Sequence, residues 1–227
     1  MKILVSDFDL TFYTNDYKKN IEKVNEFVSK GNIFIIATGR PFYFLMPSIS
    51  DVHINYSYLI CSDGTIVFDK SEKIIIEERI DNSTIKKITT ILESSDAISN
   101  WYNNEPLKYS NNILNPSNGL LGVPKDRDKA IILVNEINKN FPDIKAYLSH
   151  NWINILNKES SKATAIKKLV ELNNWELKDI ITVGDNYNDI EMNENFESYA
   201  VKTAPEELKK VSKHQVLDFI DALKKIG

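Results

Sequence analysis

Short apolar runs alternate with amphipathic stretches along most of the chain. The apolar runs are four or five residues long, end in small polar residues, and are typical of strands buried inside a sheet. These predicted strands cover residues 2–6, 33–37, 58–61, 179–183 and 198–201. Because an amphipathic stretch separates the first run from the second, we predict a βαβ unit with parallel strands and a right-handed crossover.

The amphipathic stretches carry apolar residues at helical spacing. The first helix is capped by Asn15 or Asp16 and ends before Gly31, and Pro205 begins another. Residues 65–69 and 74–78 resemble the two strands of a hairpin. The remaining helices are predicted over residues 83–94, 126–140, 161–172, from 190 onward and 216–226.

The middle of the chain interrupts this alternation. Residues from about 96 to 157 contain aromatic residues, turn-rich segments, one strongly amphipathic helix and further β-like stretches. A mixed segment inside an α/β chain is typical of an inserted domain. We therefore predict a core domain of residues 1–80 and 158–227 and an inserted α/β domain of residues 81–157.

Composition restricts the range of functions. The 227 residues include 28 Lys plus Arg and 32 Asp plus Glu, so the net charge is −4 and favours neither nucleic acid nor an anionic membrane as a partner. Cys61 is the single cysteine, which excludes an intramolecular disulfide. The start of the chain lacks the apolar run of a signal peptide, and no apolar run is long enough to span a membrane, so we expect a cytoplasmic protein. We further expect a monomer or a weak homodimer.

Carboxylates follow two of the buried strands. Asp7 and Asp9 come directly after the first, and Asp185 and Asp189 follow the run over 179–183. Ligands of open parallel sheets bind at the carboxyl ends of the strands, so these four groups are expected to share one crevice. Like charges there require a cation, and carboxylate oxygens without nearby His or Cys suit Mg²⁺.

A phosphate ester is the natural ligand of such a site. Thr38 offers a hydroxyl and Gly39 an unobstructed N–H for a phosphoryl oxygen, and Lys162, at a helix start, offers a positive charge. Asp7 and Asp9 lie two residues apart on extended chain, so both side chains can lie on the same side. One can attack phosphorus while the other transfers protons.

Together these residues resemble the four motifs of the haloacid dehalogenase-like hydrolase superfamily. The motifs are Asp7-Phe8-Asp9-Leu10-Thr11, then Thr38, then Lys162, then Gly184-Asp185 with Asn188-Asp189. The segments 37–41, 62–64 and 161–165 are similar to those of the Cof-like, class IIB phosphatases. The resemblance implies a Rossmann-like core with an inserted α/β cap, and an Mg²⁺-dependent phosphatase acting on small phosphorylated metabolites such as a sugar phosphate or a phosphoglycolate-like acid.

The resemblance also implies a role for each residue. Asp7 is the nucleophile and a metal ligand, and Asp9 is the general acid/base and binds the metal through its backbone carbonyl. Asp185 and Asp189 complete the metal site. The residues expected to bind substrate are Thr38, Gly39, Arg40, Lys162 and Asn188.

One of the departures from the family pattern lies in the first motif, and two other functions stay open. Leu10 stands where most Cof-like members have glycine, and leucine adopts a positive φ only at a cost. We expect activity to survive this change. The alternatives are transfer of the phosphoryl group to a sugar hydroxyl, as in phosphomutase-like relatives, and a sensor that binds a phosphorylated ligand without turnover.

Overall fold

The computed structural model of the chain describes residues 1–104, 109–110, 117–149 and 152–227. These residues form thirteen strands and eight helices. The strands are Ile3–Asp7 (β1), Ile33–Ala37 (β2), Tyr58–Cys61 (β3), Ile66–Asp69 (β4), Ile74–Glu77 (β5), Ile98–Asn104 (β6), Tyr109–Ser110 (β7), Gly119–Pro124 (β8), Ile144–Leu148 (β9), Ile153–Asn157 (β10), Ile180–Gly184 (β11), Glu197–Val201 (β12) and His214–Val216 (β13). The helices are Tyr17–Ser29 (α1), Phe42–Ile49 (α2), Asn82–Ser94 (α3), Arg127–Asn140 (α4), Lys162–Asn173 (α5), Ile190–Asn195 (α6), Glu206–Val211 (α7) and Phe219–Ile226 (α8).

The chain divides into two compact units. The core unit comprises Met1–Arg40, Phe44–Ile76 and Ser161–Gly227, and the insert unit comprises Pro41–Tyr43 and Glu77–Ser160. After the short segment Pro41–Tyr43, the chain therefore enters the insert unit at the last residue of β5 and returns to the core unit just before α5.

The core unit contains an eight-stranded sheet in the order β13-β12-β11-β1-β2-β3-β4-β5. The strands from β13 to β3 pair in parallel, and β4 pairs antiparallel with β3. Strand β1 lies between β2, which follows it in sequence, and β11, which the chain reaches only after the insert. The carboxyl ends of these three strands are therefore adjacent, and the order of strands reverses at β1, where α/β sheets bind their ligands.

Apolar side chains cover both faces of the core sheet. On one face the buried residues of β1, β2 and β3 pack with the apolar stripe of α5, including Ile166 and Leu169, and with Met192 and Phe196. Aromatic rings from different parts of the chain meet where Phe12 contacts Phe34 and Phe219 at centroid distances of 5.0 Å. Burial on both faces explains why the central strands are continuous apolar runs.

The insert unit has its own sheet and hydrophobic core. Its strand order is β7-β6-β8-β10-β9, and the neighbouring strands pair antiparallel. Buried residues of α3 and α4, including Ile88 and Ile137, pack with Trp101, Leu120 and Ile155 of this sheet. In the described part of the chain, no helix combines the length and apolar character needed to cross a membrane.

Two segments differ from the sequence-based expectation. The helix predicted over residues 216–226 begins only at Phe219, after the Asp218 side chain caps it, and Val216 instead ends β13, a strand paired in parallel with β12. A helix that the sequence analysis does not predict, α2, spans Phe42–Ile49 and contains Pro47.

Candidate active site

Three buried carboxylates meet at the carboxyl ends of the central strands. Asp7 is the last residue of β1, Asp185 follows β11, and Asp189 closes a short 3₁₀ turn over Tyr187–Asp189. One carboxylate oxygen from each lies within 4.8 Å of the others. All three belong to the core unit, so two distant stretches of sequence form this carboxylate cluster.

Local hydrogen bonds fix two of the carboxylates. Asp189 Oδ2 accepts the backbone N–H groups of Asp185 at 2.9 Å and Asn186 at 3.1 Å. The Thr11 hydroxyl donates to Asp185 Oδ1 at 2.9 Å. Gly184 is required beside them, because a Cβ at this position would lie 2.6 Å from the Asp189 Cβ.

The fully buried side chain of Lys162 bonds two carboxylates of the cluster. Its Nζ donates to Asp7 Oδ1 at 2.5 Å and to Asp189 Oδ1 at 2.6 Å. Ser161 and Thr164 form a capping box that begins α5 immediately before Lys162. The backbone of Gly64 approaches this helix start so closely that a Cβ there would lie 2.0 Å from Ser161 O, and its φ is +94°.

Burial and neighbouring charges shift the pKa values of the ionisable groups in the cluster. Burial raises the pKa of the Asp7 carboxyl well above its usual range, against the opposing charge of Lys162. Burial and the Asp189 charge raise the pKa of Asp185 to about 6. Burial alone would lower the pKa of Lys162, but the carboxylates of Asp189 and Asp7 raise it above its usual value.

These residues fit a divalent cation. Three carboxylates face one ammonium group, so the cluster keeps a net negative charge that a cation would offset. An all-oxygen donor set suits a hard ion such as Mg²⁺. Both oxygens of Asp189 already accept hydrogen bonds, so Asp7 and Asp185 are the better placed direct ligands.

The predicted phosphate-binding residues lie beside a carboxylate to which the sequence analysis gives no role. Asp63 is buried, and its Oδ1 accepts a hydrogen bond from Asn188 Nδ2 at 2.8 Å. A Cβ at Gly39 would lie 3.2 Å from Asp63 Oδ2, and the Asp63 N–H donates to Thr38 O at 3.0 Å. The charge of Asp63 is a further cause that raises the pKa of Lys162. Two signals could have identified it: it lies two residues after β3, and it belongs to the segment 62–64 that resembles the class IIB phosphatases.

Asp9 and Arg40 form a separate pair. Arg40 Nε donates to Asp9 Oδ2 at 2.8 Å and Nη2 to Asp9 Oδ1 at 2.5 Å. The Asp9 side chain is 46% exposed, unlike the three buried carboxylates. Leu10, the next residue, does adopt a positive φ of 62°, with its side chain exposed.

Comparison with known proteins decides the family. The family described as haloacid dehalogenase-like hydrolase matches residues 4–129 and 108–220. The chain belongs to the haloacid dehalogenase-like hydrolases. An uncharacterized Mycoplasma capricolum protein is 27% identical over an alignment that covers 86% of this chain and 88% of the relative. A Buchnera aphidicola protein provisionally named a phosphatase is 25% identical, and the alignment covers 84% of this chain and 82% of the relative.

Solved structures show the same fold. A haloacid dehalogenase-like hydrolase from Bacteroides thetaiotaomicron superposes with a TM-score of 0.87 at 18% identity, over 100% of this chain and 99% of its own. A sugar phosphatase of subclass IIB gives a TM-score of 0.84 at 17% identity, over 100% and 98%. The family, the α/β fold and the enzymatic nature that the motifs predict are thereby confirmed.

Proposed function

We propose that this chain is an Mg²⁺-dependent phosphatase of small phosphorylated metabolites. The observation that carries the proposal is the buried cluster of Asp7, Asp185 and Asp189 around Lys162, at the sheet position where a ligand is expected. Asp7, the Asp9 backbone carbonyl and Asp185 would hold the ion, with Asp189 supporting it. When bound, Mg²⁺ supplies positive charge that neutralises the phosphoryl oxygens and lets an anionic nucleophile approach them.

Asp7 carries the first chemical step. An oxygen of its carboxylate attacks phosphorus and forms an aspartyl-phosphate, while the bond between phosphorus and the ester oxygen breaks. Asp9 gives its carboxyl proton to the leaving alkoxide. The Lys162 ammonium, already bonded to Asp7, stabilises the charge on the transferring group, as the Thr38 hydroxyl and Gly39 N–H would by donating to its oxygens.

Water completes the reaction. The Asp9 carboxylate, now unprotonated, takes a proton from a water molecule whose oxygen attacks the phosphorus. The bond from phosphorus to the Asp7 oxygen then breaks, which releases inorganic phosphate and restores both carboxyl groups to their starting states. Asp9 suits this exchange with water because its side chain is partly exposed.

The family likeness and the polar groups near the cluster together suggest a substrate class. A subclass IIB sugar phosphatase shares the fold, and Asn188 and Asp63 add polar groups beside Gly39 that hydroxyl-rich esters can bond. We therefore propose sugar phosphates or short phosphorylated acids as substrates. The insert, residues 81–157 in the sequence-based division, would supply further selectivity.

Release of inorganic phosphate tests the proposal. The purified chain is assayed with p-nitrophenyl phosphate and with a panel of sugar and short-acid phosphates, first with Mg²⁺ and then with EDTA. Asp7→Asn is compared with Asp51→Asn, which changes an exposed aspartate of the same unit. We expect turnover that EDTA abolishes, that Asp7→Asn loses and that Asp51→Asn keeps.

The other outcomes separate the alternatives. An active Asp7→Asn enzyme would refute the nucleophile assignment. Transfer of phosphate to an added sugar in preference to water would favour the transferase function. Tight binding of phosphorylated ligands without turnover, in folded protein with Mg²⁺, would favour the sensor.

A further inference from the structure

Arg40 binds both oxygens of the Asp9 carboxylate. The two hydrogen bonds come from Nε at 2.8 Å and from Nη2 at 2.5 Å, which is the parallel, two-pronged arrangement of an arginine–carboxylate pair. This geometry restricts the carboxylate to one orientation. Each oxygen keeps a lone pair outside the pair, so Asp9 is held without being blocked.

The guanidinium is itself fixed from other directions. Its Nη1 donates to Ser48 Oγ at 2.9 Å and to Phe44 O at 3.4 Å, both on α2. Its central carbon lies 5.2 Å from the centroid of the Phe8 ring and 5.5 Å from that of Tyr13, and these two rings stack on each other. Arg40 therefore connects Asp9 to a helix and to an aromatic pair of the core unit.

All three guanidinium nitrogens of Arg40 already donate hydrogen bonds to the protein, which leaves little capacity for a contact with substrate. We propose that Arg40 is a positioning residue, which orients Asp9 for proton transfer, and that it acts through Asp9 alone. The inference rests on the proposed function, because it presumes that Asp9 is the general acid/base. It replaces the direct substrate contact that the family resemblance implies for Arg40.

The kcat and KM of Arg40 variants distinguish these roles. General acid catalysis raises the reaction rate about 10²–10⁴-fold. Loss of the Asp9 orientation should remove about a factor of ten of this rate increase. We expect Arg40→Ala to lower kcat about tenfold for a sugar phosphate, whose alkoxide leaving group needs a proton. KM should stay within about twofold, since Arg40 does not bind substrate. Arg40→Lys should recover little, because lysine cannot form the two-pronged pair.

A double-mutant cycle tests whether Arg40 acts through Asp9. Arg40→Ala is introduced into wild type and into Asp9→Asn, and thermal unfolding verifies that each variant is folded. We expect no further loss of kcat from Arg40→Ala in the Asp9→Asn background. Arg79→Ala, which removes an exposed arginine of the insert unit, serves as the control and should change neither constant.

Specific results would overturn the inference. An equal loss in both backgrounds, or a higher KM with unchanged kcat, would show that Arg40 acts independently of Asp9. If Arg40→Ala does not fold, Ser48→Ala removes only the outer Nη1 bond and should give a smaller kcat loss that again vanishes in Asp9→Asn. Full activity of Asp9→Asn would instead contradict the proposed acid/base function itself.

Discussion

Replacing Lys162 by methionine removes the ammonium group that bonds two buried carboxylates. The change keeps most of the side-chain volume, so it tests charge more than packing. Because Lys162 Nζ lies 2.5 Å from Asp7 Oδ1 and 2.6 Å from Asp189 Oδ1, its loss leaves both acids without their cationic partner. We expect the variant to be inactive and, in the absence of metal, clearly less stable than the wild type.

The size of the effect follows from burial. Removing one partner of a buried ion pair costs about 3–5 kcal/mol. Here the lower end is expected, because burial already raises the pKa of Asp7, and burial and Asp189 raise that of Asp185 to about 6, so protonation relieves part of the repulsion. A loss of about 3 kcal/mol corresponds to a decrease in Tm of about 6–12 °C for a chain of this length.

Thermal unfolding in EDTA and in Mg²⁺ measures this effect. A bound cation offsets the negative charge that Lys162→Met leaves behind, so Mg²⁺ should raise the Tm of the variant more than that of the wild type. Lys167→Met is the matched control, because Lys167 lies on the same helix and its exposed ammonium bonds Asn195. Its free energy of unfolding should change by less than about 0.5 kcal/mol.

Three results would contradict the reasoning. If Lys162→Met unfolds at the wild-type temperature in EDTA, the ammonium does not stabilise the carboxylates. If Mg²⁺ raises both melting temperatures equally, the metal does not bind next to the position of Lys162. Equal losses in Lys162→Met and Lys167→Met would point to the helix rather than to the cluster.

Three substitutions probe other parts of the molecule. Asp81→Ala removes the oxygen that caps α3 and should cost about 1 kcal/mol in urea unfolding at pH 7. Because hydrogen bonds from the first turn of α3 lower the pKa of Asp81, this stabilisation is present above the usual carboxyl pKa and should be lost as the pH falls below it. Gly184→Ala should displace Asp189 and raise the Mg²⁺ concentration needed for turnover. Leu10→Val should have a free energy of unfolding about 1–2 kcal/mol lower than that of Leu10→Gly, seen as a lower Tm, because a β-branched residue tolerates the positive φ poorly.

The buried strands could be predicted because their signal is local. Residues 33–37 and 58–61 are apolar runs bounded by polar residues, and the structure has strands at these positions. Val216 shows the limit of this approach. Its spacing to Phe219 and Leu223 fits a helix, but pairing with β12 makes it part of a strand, and that pairing depends on a distant segment. Helix α2 could not be predicted for a different reason, because it contains Pro47 and proline disfavours a helix locally.

The carboxylate cluster could be anticipated because topology brings strand ends together. Asp7 and Asp185 each follow a buried strand, and the rule that ligands bind at carboxyl ends groups them before any coordinates exist. Asp63 also comes shortly after a buried strand, and its segment resembles the class IIB phosphatases, but neither signal specifies a role for its side chain. Its contact with Asn188, 125 residues away, depends on side-chain placement that no sequence pattern specifies.

The contact between Asp9 and Arg40 is partly predictable, because the register of β1 and β2 relates the positions of the two residues. Strands β1 and β2 pair in parallel, with Asp7 opposite Ala37. Asp9 is two residues beyond that pair on one strand, and Arg40 is three residues beyond it on the other. The two segments leave adjacent parallel strands in the same direction, so Asp9 and Arg40 follow neighbouring strand ends. Once the register is known, a contact between Arg40 and Asp9, the proposed acid/base, can therefore be considered beside a direct contact of Arg40 with substrate.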